Sequence, residues 1–310
     1  MWSGKDREEW SSLSENHDKA CRFGVHQSRN CLTLKSATRT HGRELPMKFS
    51  VVTVSFNQRQ YLEECLTSVL GQDYPLLEYI VVDPGSTDGS RELIESFGNR
   101  LAAVLFEPDQ GAAEGLNKGF QRASGDIFGF LNSDDALLPG AMKSVSQAFE
   151  QNPDCDIVMG NGFIVDAQGR RIRRIRAAGF TLERYFYGGA TWLQQSTFFR
   201  RAAFEAVGGF NVNNRSCWDG ELVVDMVRAG ARVKYLNQDL ALFRIHAKSI
   251  TGSRRHSEMM KADADRMFSL SRGRKWTALD TLRGYWFRVE RILTHPGAVE
   301  SAIRARMSRI

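Results

Sequence analysis

The sequence predicts an α/β fold: a mostly parallel, Rossmann-like sheet with helices on both faces, followed by a helical C-terminal tail. Three observations point to it. β-branched apolar runs alternate with segments of helical period, and 310 residues suffice for one large α/β domain with appendages. Polar clusters also recur just past the ends of the apolar runs, where ligands of such sheets bind.

The elements follow in order. The run 49–56 is apolar and β-branched, as a strand buried on both faces requires. Residues 61–70 place Leu62, Cys65, Leu66 and Val69 at helical spacing, and 78–82 form the next strand, ending at Asp83. Helix over 91–97, extended chain over 101–106 and helix over 112–122 come next. The strand 126–131 runs straight into Asn132-Ser133-Asp134-Asp135. A helix over 141–149 and a strand over 157–165 complete the alternation. The later part is less regular, with helical patterns over 181–187, 201–207 and 218–228 and extended ones over 196–199, 233–236 and 240–245. Residues 1–46 are polar and lack periodicity, so they read as an extension. The main domain is expected over 47–252, and a basic amphipathic helical region over 253–310.

Hydrophobic content of 42% and charged content of 25% fit a globular chain and exclude wholesale disorder or a collagenous fold. From Arg254 to Ile310 thirteen Lys/Arg face six Asp/Glu, a balance of +7 against +6 for the whole chain. The tail is thus where an anionic partner belongs; no nucleic-acid partner is expected. Five widely spaced cysteines without a C-x-x-C pair argue against a disulfide framework or a zinc site. The apolar runs are too short to span a bilayer, and the N-terminus has no apolar signal core. A cytoplasmic protein is expected, with a peripheral place on the inner membrane face as the alternative that the tail raises. There, Trp276, Leu279, Leu282, Trp286, Val289 and Leu293 form a stripe that either packs on the domain or lies on anionic lipid. The run Arg170–Arg176 reads as a solvated hairpin face, with contact to an anionic acceptor as its alternative.

Four segments carry candidate chemistry. Asp83, at a strand end, can accept a base-edge donor, whereas Ser86, Thr87 or Asp88 can cap the next helix. Asp134 and Asp135 are adjacent carboxylates that repel unless a cation neutralises them, and Mg²⁺ or Mn²⁺ bridges such groups to phosphate oxygens. Asp219 and Glu221 either cap a helix start or supply a general base, with Trp218 as part of an apolar wall that lifts its pKa. His246 can complete a metal site, and Arg244 or Lys248 can meet a diphosphate. G-x-G-x-x-G after a strand, the P-loop and the G-x-S-x-G elbow are all absent, which removes the usual signals for dinucleotide oxidoreductases, P-loop enzymes and α/β-hydrolases.

Taken in order and spacing, Val51-Val-Thr-Val-Ser-Phe-Asn57, Ser68-Val-Leu-Gly-Gln72, Val81-Val-Asp-Pro-Gly-Ser-Thr-Asp88, Asn117-Lys-Gly119, Gly125-Asp126, Leu131-Asn-Ser-Asp-Asp135 and Phe198-Phe-Arg200 resemble the inverting family 2 glycosyltransferases of bacterial polysaccharide and cell-envelope synthesis. The resemblance covers roughly 48–251 and implies the GT-A fold. It also implies that Ser55, Asn57, Asp83, Asn117 and Asp134 bind a nucleotide-sugar, most simply a UDP-sugar. Asp134, Asp135 and His246 would hold a divalent cation, Mn²⁺ or Mg²⁺, and Asp219, with Glu221 beside it, would be the catalytic base. The acceptor would be a glycan or a lipid-linked glycan. Two departures matter: Asn132 stands where many relatives have Asp, and Trp218 takes the first position of a motif that is often Glu-Asp. They keep open a non-catalytic nucleotide-sugar binder of the same fold; a nucleotidyltransferase is the weaker contender.

Overall fold

A computed structural model of the chain describes residues 46–247, 249 and 257–294. The N-terminal extension, Lys248 and the last part of the tail therefore lie outside the described residues.

The strands β1 (Phe49–Val54), β2 (Leu77–Val82), β3 (Ala103–Leu105) and β4 (Ile127–Asn132) form the parallel half of one sheet, in the order β3-β2-β1-β4. The helices α1 (Arg59–Leu70), α2 (Ser90–Ser96) and α3 (Ala112–Arg122) connect them. This is the alternation read from the sequence, and both faces of β1 are buried as its apolar run demands.

Beyond β4 the sheet changes direction. β5 (Ala136–Leu137), β6 (Ile157–Val165), β7 (Arg171–Ile175), β8 (Thr197–Arg200) and β9 (Val233–Arg244) extend it as β4-β8-β6-β9-β5, with β7 beside β6. β8 is antiparallel to both β4 and β6, whereas β6 and β9 are parallel. The doubly wound expectation therefore describes the first half, and the second half is mixed. The segments expected at 233–236 and 240–245 are one strand, bridged by irregular register opposite Gly160–Gly162. The basic run 170–176 is indeed a hairpin strand with mostly exposed residues, paired to β6.

Helices α4 (Ala141–Gln151), α5 (Leu182–Phe186), α6 (Arg201–Ala206) and α7 (Trp218–Arg228) complete the layers, and α8 (Ser257–Arg272) and α9 (Ala278–Thr294) form the tail. The core divides into two apolar clusters. One packs β1 and β2 against Leu62, Leu66 and Val69 of α1 together with Met142, Val145 and Phe149 of α4. The other gathers Phe120, Phe128, Phe199, Phe204 and Phe210 with Trp218 and Leu222.

The stripe of the tail does not pack on the domain. Trp276 does, against Phe268 and Tyr187 with ring centroids 4.8 and 5.5 Å apart. Leu279, Leu282, Trp286, Val289 and Leu293 are exposed instead. The inner face of α9 carries Asp280 and Gly284, which are buried, and Phe287, whose ring stacks on Tyr187. Asp280 takes the Tyr187 hydroxyl at 2.6 Å, and Arg274 grips both its oxygens at 2.6 and 2.7 Å. Apolar periodicity does not say which face of a helix meets the domain when a buried carboxylate and one stacked ring can do the docking.

Close approach of α3 to the sheet depends on Gly119, where an added Cβ would overlap Val52 and sit 3.3 Å from Val82. Gly119→Val should destabilise the protein by about 2 kcal/mol, read as a lower urea midpoint with an unchanged slope.

Candidate functional site

The parallel register sets the site. Val54 of β1 pairs with Val82 of β2 and with Asn132 of β4, so Ser55, Asp83 and Ser133 emerge at one edge of the sheet. The antiparallel pairing of β5 with β9, Ala136 to Leu242, then brings the end of β9 against the Asp134-Asp135 turn. As a result His246 Nε2 lies 2.9 Å from Asp134 Oδ2, although 112 residues separate them in sequence. The His246 ring also packs on Tyr61, centroids 4.9 Å apart.

Two cavities open here. The larger, about 480 Å³, is lined by Ser55, Pro84, Asp109, Gly111, Ser133 and Asp134, among others. The smaller, about 300 Å³, is lined by Trp192, Leu193, Gln194, Gln195, Ser216 and Asp219. Asn132, Trp218 and Phe243 border both. Trp218 is held between Phe130 and Phe210, with ring centroids at 5.6 and 5.4 Å.

Asp219 sits in the first turn of α7, where the helix dipole favours a carboxylate. Its Oδ1 accepts the Gly220 N–H at 2.8 Å. Burial pushes its pKa up, the direction a general base near neutral pH needs. The Ser55 hydroxyl is buried and has no hydrogen-bond partner among the described residues, which leaves it open to a ligand in the larger cavity.

The remaining residues singled out by sequence are engaged elsewhere. Asp83 is fully buried; its Oδ1 accepts the Gly85 and Ser86 N–H groups and Arg91 Nε, and its Oδ2 the Ser86 hydroxyl. It shapes its own loop. Asn57, at φ 52°, accepts the Thr87 N–H and donates its backbone N–H to Ser86, tying the loop after β1 to the loop after β2. Asn117 uses its whole amide on the backbone of Phe210, at 2.9 Å in both directions, and so lies outside the cavity lining. Arg244 is buried and donates to the Asp134 carbonyl and to Glu64, so it is a clasp and not a free diphosphate contact.

Asp135 is also buried, accepting Arg244 N–H at 2.9 Å and Gln195 Nε2 at 2.7 Å. Burial, and then the neighbouring Asp134, push its pKa well above the usual carboxylate range. Glu221 departs furthest from the expectation of a catalytic partner. It is buried, bound bidentately by Arg266 of α8 at 2.6 and 2.8 Å and by Asn211 and Asn214. Burial opposes its charge, but Arg266 and the two amides outweigh it and hold its pKa below normal. A base must accept a proton; Glu221 is arranged to refuse one.

Asp109 and the Trp192–Gln195 stretch line the cavities and escaped the sequence reading. Asp-Gln-Gly directly before an amphipathic helix, and a Gln pair amid apolar residues, were the available signals. Among the described residues no group of three or more His, Cys, Asp or Glu converges as a metal cage. Asp134 instead lines the larger cavity with His246 hydrogen-bonded to it, an oxygen and a nitrogen donor that would suit a divalent cation.

The model of glycosyl transferase family 2 matches residues 50–208. The uncharacterized glycosyltransferase alr2836 of Nostoc sp. is 28% identical over 211 residues, 64% of this chain and 65% of that protein, so the chain spans less than two thirds of its relative. Among solved structures, S. aureus TarS 1-349 in complex with UDP-GlcNAc superposes with a TM-score of 0.61 at 21% identity, covering 80% of this chain and 72% of that one. The mannosyltransferase PcManGT from Pyrobaculum calidifontis, in complex with GDP-Man and Mn²⁺, gives 0.56 at 17%, covering 85% and 76%. At such identities the two structures establish the fold.

The Glu221–Arg266 pair makes a pH prediction. A carboxyl whose folded pKa lies below its unfolded value of about 4.3 contributes stability above that value and loses it as pH falls through the folded pKa. Glu221→Gln should lower the neutral-pH melting temperature and flatten the loss of stability on acidification, both measured by scanning calorimetry at a series of pH values.

Proposed function

We propose that this chain, which belongs to glycosyl transferase family 2, is a glycosyltransferase that moves a sugar with inversion from a nucleotide-sugar, a UDP-sugar in the simplest case, to a glycan or lipid-linked hydroxyl. One observation carries the reading. Two cavities meet at Asn132, Trp218 and Phe243; one is lined by Asp134, to which His246 is hydrogen-bonded, the other by Asp219. That is the arrangement a single displacement requires, with donor and acceptor entering from different sides of one reacting carbon.

In this reading the larger cavity takes the nucleotide-sugar, with Ser55 offering its unpartnered hydroxyl and Asp109 a carboxylate beside the backbone of Gly111. Asp134 and His246 would hold Mn²⁺ or Mg²⁺, which when bound offsets charge on the departing diphosphate. The pairing of UDP-GlcNAc with one structural neighbour, and of GDP-Man and Mn²⁺ with another, supports this donor chemistry. Asp219 takes the proton from the acceptor hydroxyl as that oxygen attacks the anomeric carbon. Its burial raises its basicity, and Trp218 walls it from the donor side. Trp192 gives the smaller cavity an apolar face on which a pyranose can stack, while Gln194 and Gln195, which also line it, are tied to the Phe130 carbonyl and to Asp135. In this reading a lipid-linked acceptor would bring the chain to the cytoplasmic face of a membrane.

Asp219→Asn should cut turnover by about 10²–10⁴-fold while leaving donor binding intact. The same substitution should stabilise the protein at neutral pH. A folded pKa raised above the unfolded one means stability is full at low pH and falls as pH rises through the folded value, and Asn is spared that loss. Near-wild-type turnover at saturating substrate would remove Asp219 from the role. For the cation, the thermal shift produced by a UDP-sugar should increase with Mn²⁺, and that increment should vanish in Asp134→Asn; an increment kept by the variant places the ion elsewhere.

A further inference from the structure

Helix α9 shows an unusual division of labour between its faces. The inner face docks through charge: Asp280 with Arg274, the Tyr187 hydroxyl and Thr277, and Glu290 with Arg184 at 2.8 and 2.9 Å. Both carboxylates of the helix are thereby engaged toward the domain. The outer face carries Leu279, Leu282, Trp286, Val289 and Leu293, which are 48–75% exposed, with Tyr285 and Ile292 beside them. Arg283 and Arg288 are exposed at its margins. A face that is apolar in the middle and cationic at its edge, with a Trp and a Tyr in it, complements an anionic lipid surface.

The helix is also well placed. It rests on Tyr187, whose ring stacks on Phe287 at 5.7 Å, and on Gly188 and Gly189, which lie under Arg288 and Phe287. The chain then runs from Gly189 directly to Trp192–Gln195, which line the smaller cavity. We propose that the outer face of α9 lies in the headgroup region of an anionic bilayer and thereby presents the smaller cavity to an acceptor whose lipid end stays in the membrane. The acceptor half of this inference rests on the function proposed above; the lipid contact does not.

The test uses the full chain, floated with phosphatidylcholine vesicles with and without phosphatidylglycerol. The wild type should float with the anionic vesicles, and brominated lipid should quench its tryptophan fluorescence. Leu282→Glu combined with Leu293→Glu changes two exposed side chains, so folding should be kept, checked by circular dichroism and by the thermal shift with a UDP-sugar. This variant should lose vesicle binding by about tenfold or more. Activity on a water-soluble acceptor should be unchanged, and activity on a bilayer-embedded one should fall. Three results would overturn the proposal: no flotation of the wild type, flotation untouched by the two substitutions, or a dimer in sedimentation that the same substitutions dissolve. Flotation without any nucleotide-sugar binding would leave the lipid contact standing and remove the donor reading, and the reverse pattern would do the opposite.

Discussion

The guanidinium of Arg244 is the constraint on which the site depends. It is almost wholly buried at the end of β9, and a buried charge is tolerated only when its hydrogens are met. They are: the Asp134 carbonyl, the Asp166 carbonyl and Glu64 accept from it, and the Tyr61 ring lies 4.9 Å beneath it. Its backbone N–H goes to Asp135. One side chain thus joins α1, the turn after β4, the turn after β6 and the last strand. Asp134 and His246 face each other because this knot holds both of their backbones.

Much of the scaffold was legible in the sequence because it is local. The helices over 112–122 and 218–228 and the strand over 157–165 have the predicted bounds, since strong periodicity meets clear turn residues at both ends. β9 read as two segments because Asn237, Gln238 and Asp239 interrupt its apolar run; in the structure Asn237 is met by Asn161 across an irregular register. The antiparallel insertion of β8 between β4 and β6 was not legible, because strand direction is decided by partners far away in sequence.

The site divides in the same way. A residue's type and its place at a strand end can be read from sequence; whether another group already occupies it cannot. Asn117, Asp83, Glu221 and Arg244 all have the chemistry of ligand contacts, and all four are engaged by protein partners. Glu221 is instructive: the acid that looks like a second base is the peg that fastens α8 to the helix carrying Asp219. Arg184 and Arg274 repeat the device one layer further out, at α9. Carboxylate–arginine pairs therefore run from the helix carrying Asp219 to the outermost helix, and they give that helix a defined seat without using its exposed apolar stripe.

Trp218, Phe243 and Asn132 form a party wall between the two cavities, each side chain in contact with both spaces. A wall owned in common cannot be rebuilt for one tenant. If the cavities take donor and acceptor as proposed, any substitution there that widens the room for a different donor sugar also alters the room for the incoming hydroxyl, and the two preferences are coupled in evolution and in redesign. Diversification is freer at the far ends, around Asp109 and Gly111 on one side and Trp192 to Gln195 on the other, where a change touches one substrate alone.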